Sequence, residues 1–212
     1  MRYFLNCVGH GLSVNFKASV IACCLLLALG TTFLSAQADT VPKGWMLAGD
    51  HPQNYTTGVD KGAVHLGHPS AYLKSKPSAT EGFGTLMQQF DAAPYLGKRI
   101  RLTAWIKSEG VDDWAGLWMR IDNGTKAVAL DNMQDRPIKG TSEWRNYTLV
   151  LDVPKAATGI FFGVLVSKTG TVWLNSVQFE TVGIDVPVTN MWTAGAPPQL
   201  PSAPTNLNFE DQ

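Results

Sequence analysis

The 212-residue sequence predicts an all-β protein, an antiparallel β-sandwich, on three observations. Apolar residues between 83 and 182 recur with period two. Turn residues punctuate them at short intervals, and beyond residue 38 no window of about 11 residues carries a convincing 3.6 period. From Arg99 to Lys107, the residues Ile100, Leu102, Ala104 and Ile106 alternate with Arg101, Thr103, Trp105 and Lys107. Leu117, Met119 and Ile121 alternate with Trp118, Arg120 and Asp122, and Ala127–Leu130 continues after an Asn123-Gly124 hairpin turn. Tyr147, Leu149, Leu151 and Val153 form the next strand, and Ile160, Phe162, Val164 and Val166 another. Lys168-Thr169-Gly170 turns the chain into a last strand, Val172 to Phe179, with a bulge expected near Asn175. Thr85–Ala93 is expected to form one short turn of helix.

Composition bounds the classes available. With 45% hydrophobic and 16% charged residues the chain is neither disordered, nor a coiled coil, nor collagen-like. Lys+Arg and Asp+Glu balance at 17 each, so no net field favours nucleic acid or an anionic membrane.

The first 38 residues stand apart. They hold Arg2 and Lys17, no acidic residue, and all three cysteines, Cys7, Cys23 and Cys24. Lys17 precedes an apolar run from Val20 to Leu34, and Ala36-Gln37-Ala38 gives the small-x-small pattern of a cleavage point. The run falls short of the roughly 20 residues a spanning helix needs. We therefore expect a signal peptide over 1–38 and a secreted or periplasmic protein with no membrane contact after cleavage. The alternatives are an uncleaved anchor and a lipobox-like Val20-Ile21-Ala22-Cys23, although there the apolar run follows the cysteine. Taking Arg2 and Lys17 from the balance of 17 and 17 leaves a charge of −2 on a cysteine-free remainder, which must rely on its core. The remainder divides into a β-sandwich domain over 39–182, turn-rich up to residue 82, and a Pro-rich C-terminal tail over 183–212. Pro187, Pro197, Pro198, Pro201 and Pro204 make that tail read as an extended linker rather than packed structure.

Catalytic signals are weak. His65-Leu66-Gly67-His68 has a metal-type spacer, but the nearest acidic residues lie in turn sequence, so two loop histidines are expected rather than a zinc site. No nucleophile elbow, His-Glu-x-x-His helix or phosphate loop occurs. Asp112-Asp113 and Asp131/Asp135 offer carboxylates of the kind a glycosidase uses, but acidic residues at turns more often cap backbone groups. We expect no enzyme, no metal and no cofactor.

The aromatic residues say more. Six of the seven tryptophans fall between 45 and 173, and alternation turns Trp105 and Trp118 away from the core, together with Arg101 and Arg120. An aromatic ring beside hydrogen-bonding side chains suits a sugar, whose C–H faces stack on rings while its hydroxyls are bonded. The competing reading is that a further layer covers these rings. Asp131–Ile138 is dense in polar side chains, and it is either a ligand-facing loop or a turn that satisfies itself, with Arg136 paired to Asp131 or Asp135. The expected ligand-binding set is Trp105, Trp118, Arg120, Asn132, Gln134 and Arg136. Trp105, Trp118 and Arg120 are expected on one side of one sheet.

Tyr95-Leu96-Gly97-Lys98-Arg99 leading into Leu102-Thr103-Ala104-Trp105-Ile106-Lys107 resembles a strand of galactose-binding-like jelly rolls. Trp144-Arg145-Asn146-Tyr147, with Leu149, Leu151 and Pro154, looks like their next signature. Thr171–Phe179 is similar to their closing strand, with Asn175-Ser176 where an Asp pair is usual, so a structural calcium there is not supported. Trp114–Met119 and Asp131–Ile138 also look like an uncharacterised bacterial secreted subgroup, sometimes found beside regulatory domains. The resemblance implies a jelly roll over about 45–182, and a secreted, non-catalytic domain that binds a glycan or similar polyhydroxylated ligand. The rivals are a structural, protein-interaction or sensor domain without a sugar ligand, and a hydrolase with an unrecognised carboxylate pair. Related jelly rolls open with an Asn-x-x-Phe-Glu strand. Asn206-Leu207-Asn208-Phe209-Glu210 is therefore expected either to fill that position or, preferentially, to begin a lost second module.

Overall fold

The structure is a computed structural model that describes residues 39–192. Residues 1–38, where a signal peptide is expected, and the Asn206–Glu210 segment lie outside the described residues. Nine antiparallel strands, β1 (Met46–Gly49), β2 (Tyr55–His65), β3 (His68–Ser75), β4 (Phe83–Asp91), β5 (Arg99–Asn123), β6 (Lys126–Asp131), β7 (Ile138–Asp152), β8 (Gly159–Ser167) and β9 (Thr171–Val182), build an antiparallel β-sandwich of the jelly-roll class. Among the described residues there is no α-helix, and no helix long and apolar enough to cross a membrane.

Strand β5 organises both layers. Arg99 to Glu109 pairs with β7 on one side and β9 on the other, giving a first sheet in the order β2-β3-β9-β5-β7. Trp114 to Asn123 pairs with β8 and β6, giving a second sheet, β1-β4-β8-β5-β6. The change of layer takes place through register shifts between Ile106 and Ala115, where Gly110 and, on β7, Gly140 adopt φ of +57° and +66°. Bulged backbone at these glycines lets one strand bend from sheet to sheet without ending its ladder. The sequence around Ser108–Trp114 lacks alternation for that reason.

Alternation places the core as expected. Ile100, Leu102, Ala104 and Ile106 from the first half of β5 are buried, as are Leu117, Met119 and Ile121 from the second. They pack with Leu86, Leu149, Leu151, Ile160, Val164 and Val166 between the layers. One end is closed by rings, with Phe90 and Phe162 meeting Phe179 edge-on at 5.2 and 4.9 Å and Trp45 meeting Phe162 at 5.5 Å. Buried Tyr55 donates its hydroxyl to the Lys168 carbonyl at 2.9 Å, and burial, aided by the charge of Asp50, pushes its pKa up to about 12.

Three expectations change. Thr85–Ala93 is not a helical turn but lies mostly in β4, because β1 and β8 take its backbone bonds on both sides and Leu86 faces the core while Thr85 and Met87 face out. The turn-rich zone before residue 82 supplies three strands, of which β1 and β2 are sheet edges while β3 pairs on both sides and buries Leu73. The stretch read as linker is packed at its start. Arg99 donates to the Ile184 and Val186 carbonyls, Thr189 bonds the backbone of Val150, and Met191 N–H bonds the Leu130 carbonyl. The bonds from Thr189 and Met191 occupy backbone groups that β7 and β6 expose along their edges. The hairpin at Asn123-Gly124 forms as expected, whereas Lys168–Gly170 is not a hairpin turn but carries the chain from β8 in the second sheet to β9 in the first, and a bulge marks Asn175-Ser176, where Ser176 has φ +50°.

Candidate functional site

The outer face of the second sheet carries a groove of about 420 Å³. Its floor follows from strand parity. Residues 86, 117, 119 and 164 point inward, so Thr85 and Met87 of β4, Leu165 and Phe161 of β8, and Trp118 and Arg120 of β5 point outward into one concavity, joined by Leu130 and Asn132 from β6 and the residue following it. At the centre, Gly163 pairs with both Trp118 and Met87, and a side chain on it would strike the Leu86 carbonyl, so the close approach of β4 and β8 requires glycine.

Each polar group in the groove is fixed by a partner. The Trp118 indole donates Nε1–H to Thr85 Oγ1 at 2.8 Å, and Thr85 in turn donates to the Val164 carbonyl at 2.9 Å. The indole therefore reaches past β8 to β4 and is 8% exposed, a floor rather than a free-standing platform. Arg120 grips Asp122 with Nε and Nη2, both at 2.8 Å, and stacks on the Phe161 ring with its guanidinium carbon 4.6 Å from the centroid. A bidentate pair combined with stacking holds the guanidinium flat and leaves Nη1 as the nitrogen Asp122 does not engage. Asn132 Oδ1 accepts from Gln134 N–H at 3.0 Å, which orients the amide and keeps its NH₂ out of that bond.

Of the six residues expected from sequence, the fold brings together Trp118, Arg120 and Asn132. Trp105 is not with them, which corrects the expectation of one shared face. It lies in the first half of β5, paired with Asn146 and Asn175 in the first sheet, because the strand changes layers between residues 105 and 118. There the tip of the β2–β3 hairpin covers it. His65 sits between Trp105 and Trp144, 4.6 and 4.8 Å from their ring centres.

Gln134 and Arg136 stand in the β6–β7 turn and do not line the groove. Arg136 pairs with buried Asp131 at 2.5 Å and exposed Asp135 at 2.8 Å, while Asp131 also accepts from Met133 N–H. Burial alone would lower the Arg136 pKa, but the two carboxylates outweigh it and raise it. Both readings of this segment hold in part: Asp131, Asp135 and Arg136 satisfy one another and the turn's backbone, while Asn132 lines the groove. Phe83, Thr85, Met87, Leu130 and Phe161 were missed. Phe161 was legible, since it stands between inward Ile160 and Phe162.

His65 and His68 end the two strands of a hairpin whose turn is Leu66-Gly67, with φ of +49° and +81°. No group of three His, Cys, Asp or Glu able to hold a metal occurs among the described residues. Asp113 accepts from Ser167 at 2.7 Å. The Asn175 amide bonds the His68 and Pro69 carbonyls and Ser70, clamping the first residues of β3 next to the hairpin turn.

Fold and groove together define an antiparallel β-sandwich with a concave outer face. No known family model matches the chain. The chain is 47% identical over 172 residues to the uncharacterized HTH-type transcriptional regulator YbfP of Bacillus subtilis (strain 168). That match covers 80% of this chain and 57% of the relative, so the chain spans little more than half the length of the curated relative it matches. Among solved structures, the enzymatically active domain of bacteriophage CBA120 tailspike protein 4 is similar, with 20% identity and a TM-score of 0.51 over 68% of this chain and 20% of that one. The CBM22-1 xylan-binding domain of Paenibacillus barcinonensis Xyn10C aligns with 12% identity and a TM-score of 0.48, covering 67% of this chain and 88% of that domain. At these identities the likeness is one of fold alone.

Proposed function

We propose that the chain is a non-catalytic recognition module whose groove on the second sheet binds a glycan or a similar polyhydroxylated ligand. The observation that carries this reading is the groove itself. An apolar floor of Trp118, Phe161, Met87 and Leu130 meets two oriented N–H donors, on Arg120 and Asn132, within a volume suited to a small ligand. C–H faces of a pyranose lie on the apolar floor while the donors take its hydroxyl oxygens. The nearby carboxylates support binding rather than hydrolysis, since Asp122 and Asp131 are each committed to an arginine.

A second reading concerns use rather than chemistry. The relative is named for a helix-turn-helix, and the described residues here contain no α-helix, which supports matching this chain to a ligand-sensing region rather than to the DNA reader. Nucleic acid is then no partner of the module itself. We further propose export with cleavage after Ala38; intact-mass measurement of the exported protein tests it, and a form still carrying residues 20–34 overturns it.

A glycan-array screen of the purified protein tests the binding reading. Binding to at least one glycan class is expected, lost in Arg120→Ala and Asn132→Ala variants that keep the wild-type circular dichroism spectrum. A protein that binds no glycan, or whose binding survives both substitutions, overturns it.

A further inference from the structure

The groove does not end at Phe161. A second cavity of about 340 Å³ adjoins it on the same outer face, lined by Gln89, Asp91, Thr158 and Gly159, with Phe161 belonging to both. Asp122 ties the two together. Its carboxylate holds Arg120 in the first cavity, and its carbonyl accepts Thr158 N–H, 2.7 Å away, at the second. From these observations, and resting on the glycan reading above, we infer that the groove takes an uncharged linear oligosaccharide that crosses the Phe161 ridge and fills both cavities.

Length follows from the shared wall. The Phe161 ring lies between the cavities, with the Arg120 guanidinium against it and Gly159 beside it, where a Cβ would come within 3.1 Å of the ring. A ligand confined to one cavity leaves the other wet. A chain resting on the ridge gains apolar contact on both sides of the ring at once.

Charge follows from the groups that line the path. Arg120 is the one charged residue among those lining the first cavity, and both oxygens of Asp122, whose side chain is 7% exposed, already neutralise it. The second cavity adds Asp91, whose Oδ1 is taken by Ala93 N–H but whose negative charge remains. An acidic chain would place its carboxylates against Asp91 and would compete with Asp122 for Arg120 without the aid of any other cation in the lining. Neutral hydroxyls meet donors without that opposition.

Isothermal titration of the full chain against three ladders of one to six units decides the matter: β-1,4-xylo-oligosaccharides, β-1,4-galacto-oligosaccharides and oligogalacturonides. A neutral series is expected to gain roughly tenfold or more in affinity between one unit and four, as a second set of ring and apolar contacts is made. The uronate of four units is expected to bind at least about tenfold more weakly than its neutral counterpart. Asp122→Asn, which keeps the side-chain shape and frees Arg120, should raise uronate affinity, and Phe161→Leu should flatten the dependence on length. A monosaccharide that binds as tightly as the tetramer, or a uronate that binds more tightly than the neutral chain, overturns the inference while leaving the glycan reading standing. If none of the three ladders binds, the inference falls, and the glycan reading falls with it only where the array is blank as well.

Discussion

The two halves of β5 obey one local rule and reach opposite ends. In each half apolar residues face the core and a tryptophan faces out, Trp105 in the first sheet and Trp118 in the second. Over Trp105 the chain returns: the β2–β3 hairpin bends at Asp60, which accepts Gly62 and Ala63 N–H, and its tip lays His65 between Trp105 and Trp144. Over Trp118 no strand among the described residues returns, and the ring becomes the floor of a groove. Parity decides which face a side chain takes, and only neighbours distant in sequence decide whether that face is open.

The sharpest way to break this comparison is to ask whether the halves share one core. Leu102→Ala and Leu117→Ala should each cost about 3 kcal/mol and lower the single melting transition by similar amounts, because both residues are fully buried in one cluster. If calorimetry shows two transitions, each sensitive to one variant, the halves are independent. The turn after β6 should respond next. Arg136→Ala leaves Asp131 buried without its cation, and a loss of about 2 kcal/mol is expected in urea unfolding, below the usual range for buried pairs because Arg136 keeps 36% of its side chain exposed.

A third test separates the two tryptophans. Thr85→Val removes the acceptor of the Trp118 N–H and should cost about 1 kcal/mol. Trp118→Phe should weaken glycan binding roughly threefold to tenfold, whereas Trp105→Phe should leave it unchanged. Equal losses in titration would place the ligand elsewhere.

The smallest effect concerns pH at the bend that covers Trp105. Burial opposes the charge on Asp60, but the Trp173, Gly62 and Ala63 N–H groups outweigh it and hold its pKa below the ordinary 3.8. A carboxylate lowered on folding contributes stability that is complete above 3.8 and is lost as pH falls through the lower folded value. Acidification below that point should therefore raise acrylamide quenching of tryptophan more in the wild type than in Asp60→Asn. Identical acid profiles would show that Asp60 does not hold the hairpin.

Much of this molecule was legible in its residues. Period-two runs such as Ile100–Ile106 and Leu117–Ile121, and hairpin turns such as Asn123-Gly124, are written in contiguous sequence because backbone pleat and turn geometry act over two to four residues. The same locality put Trp118 and Arg120 on the outer face and left Phe161 there to be noticed. The placement of Trp105 on a different sheet was beyond that reach, since it depends on bulges at Gly110 and Gly140 that redirect one continuous strand. Thr85 and Met87 joined the groove only because β1 and β8 claimed the backbone of a segment that local pattern could have made helical. The sequence by itself determined the strands from Arg99 onward, their inward faces and the core those faces build. The tertiary structure alone decided which outward face stays open, because exposure is a property of what packs above a residue, and that depends on contacts far apart along the chain.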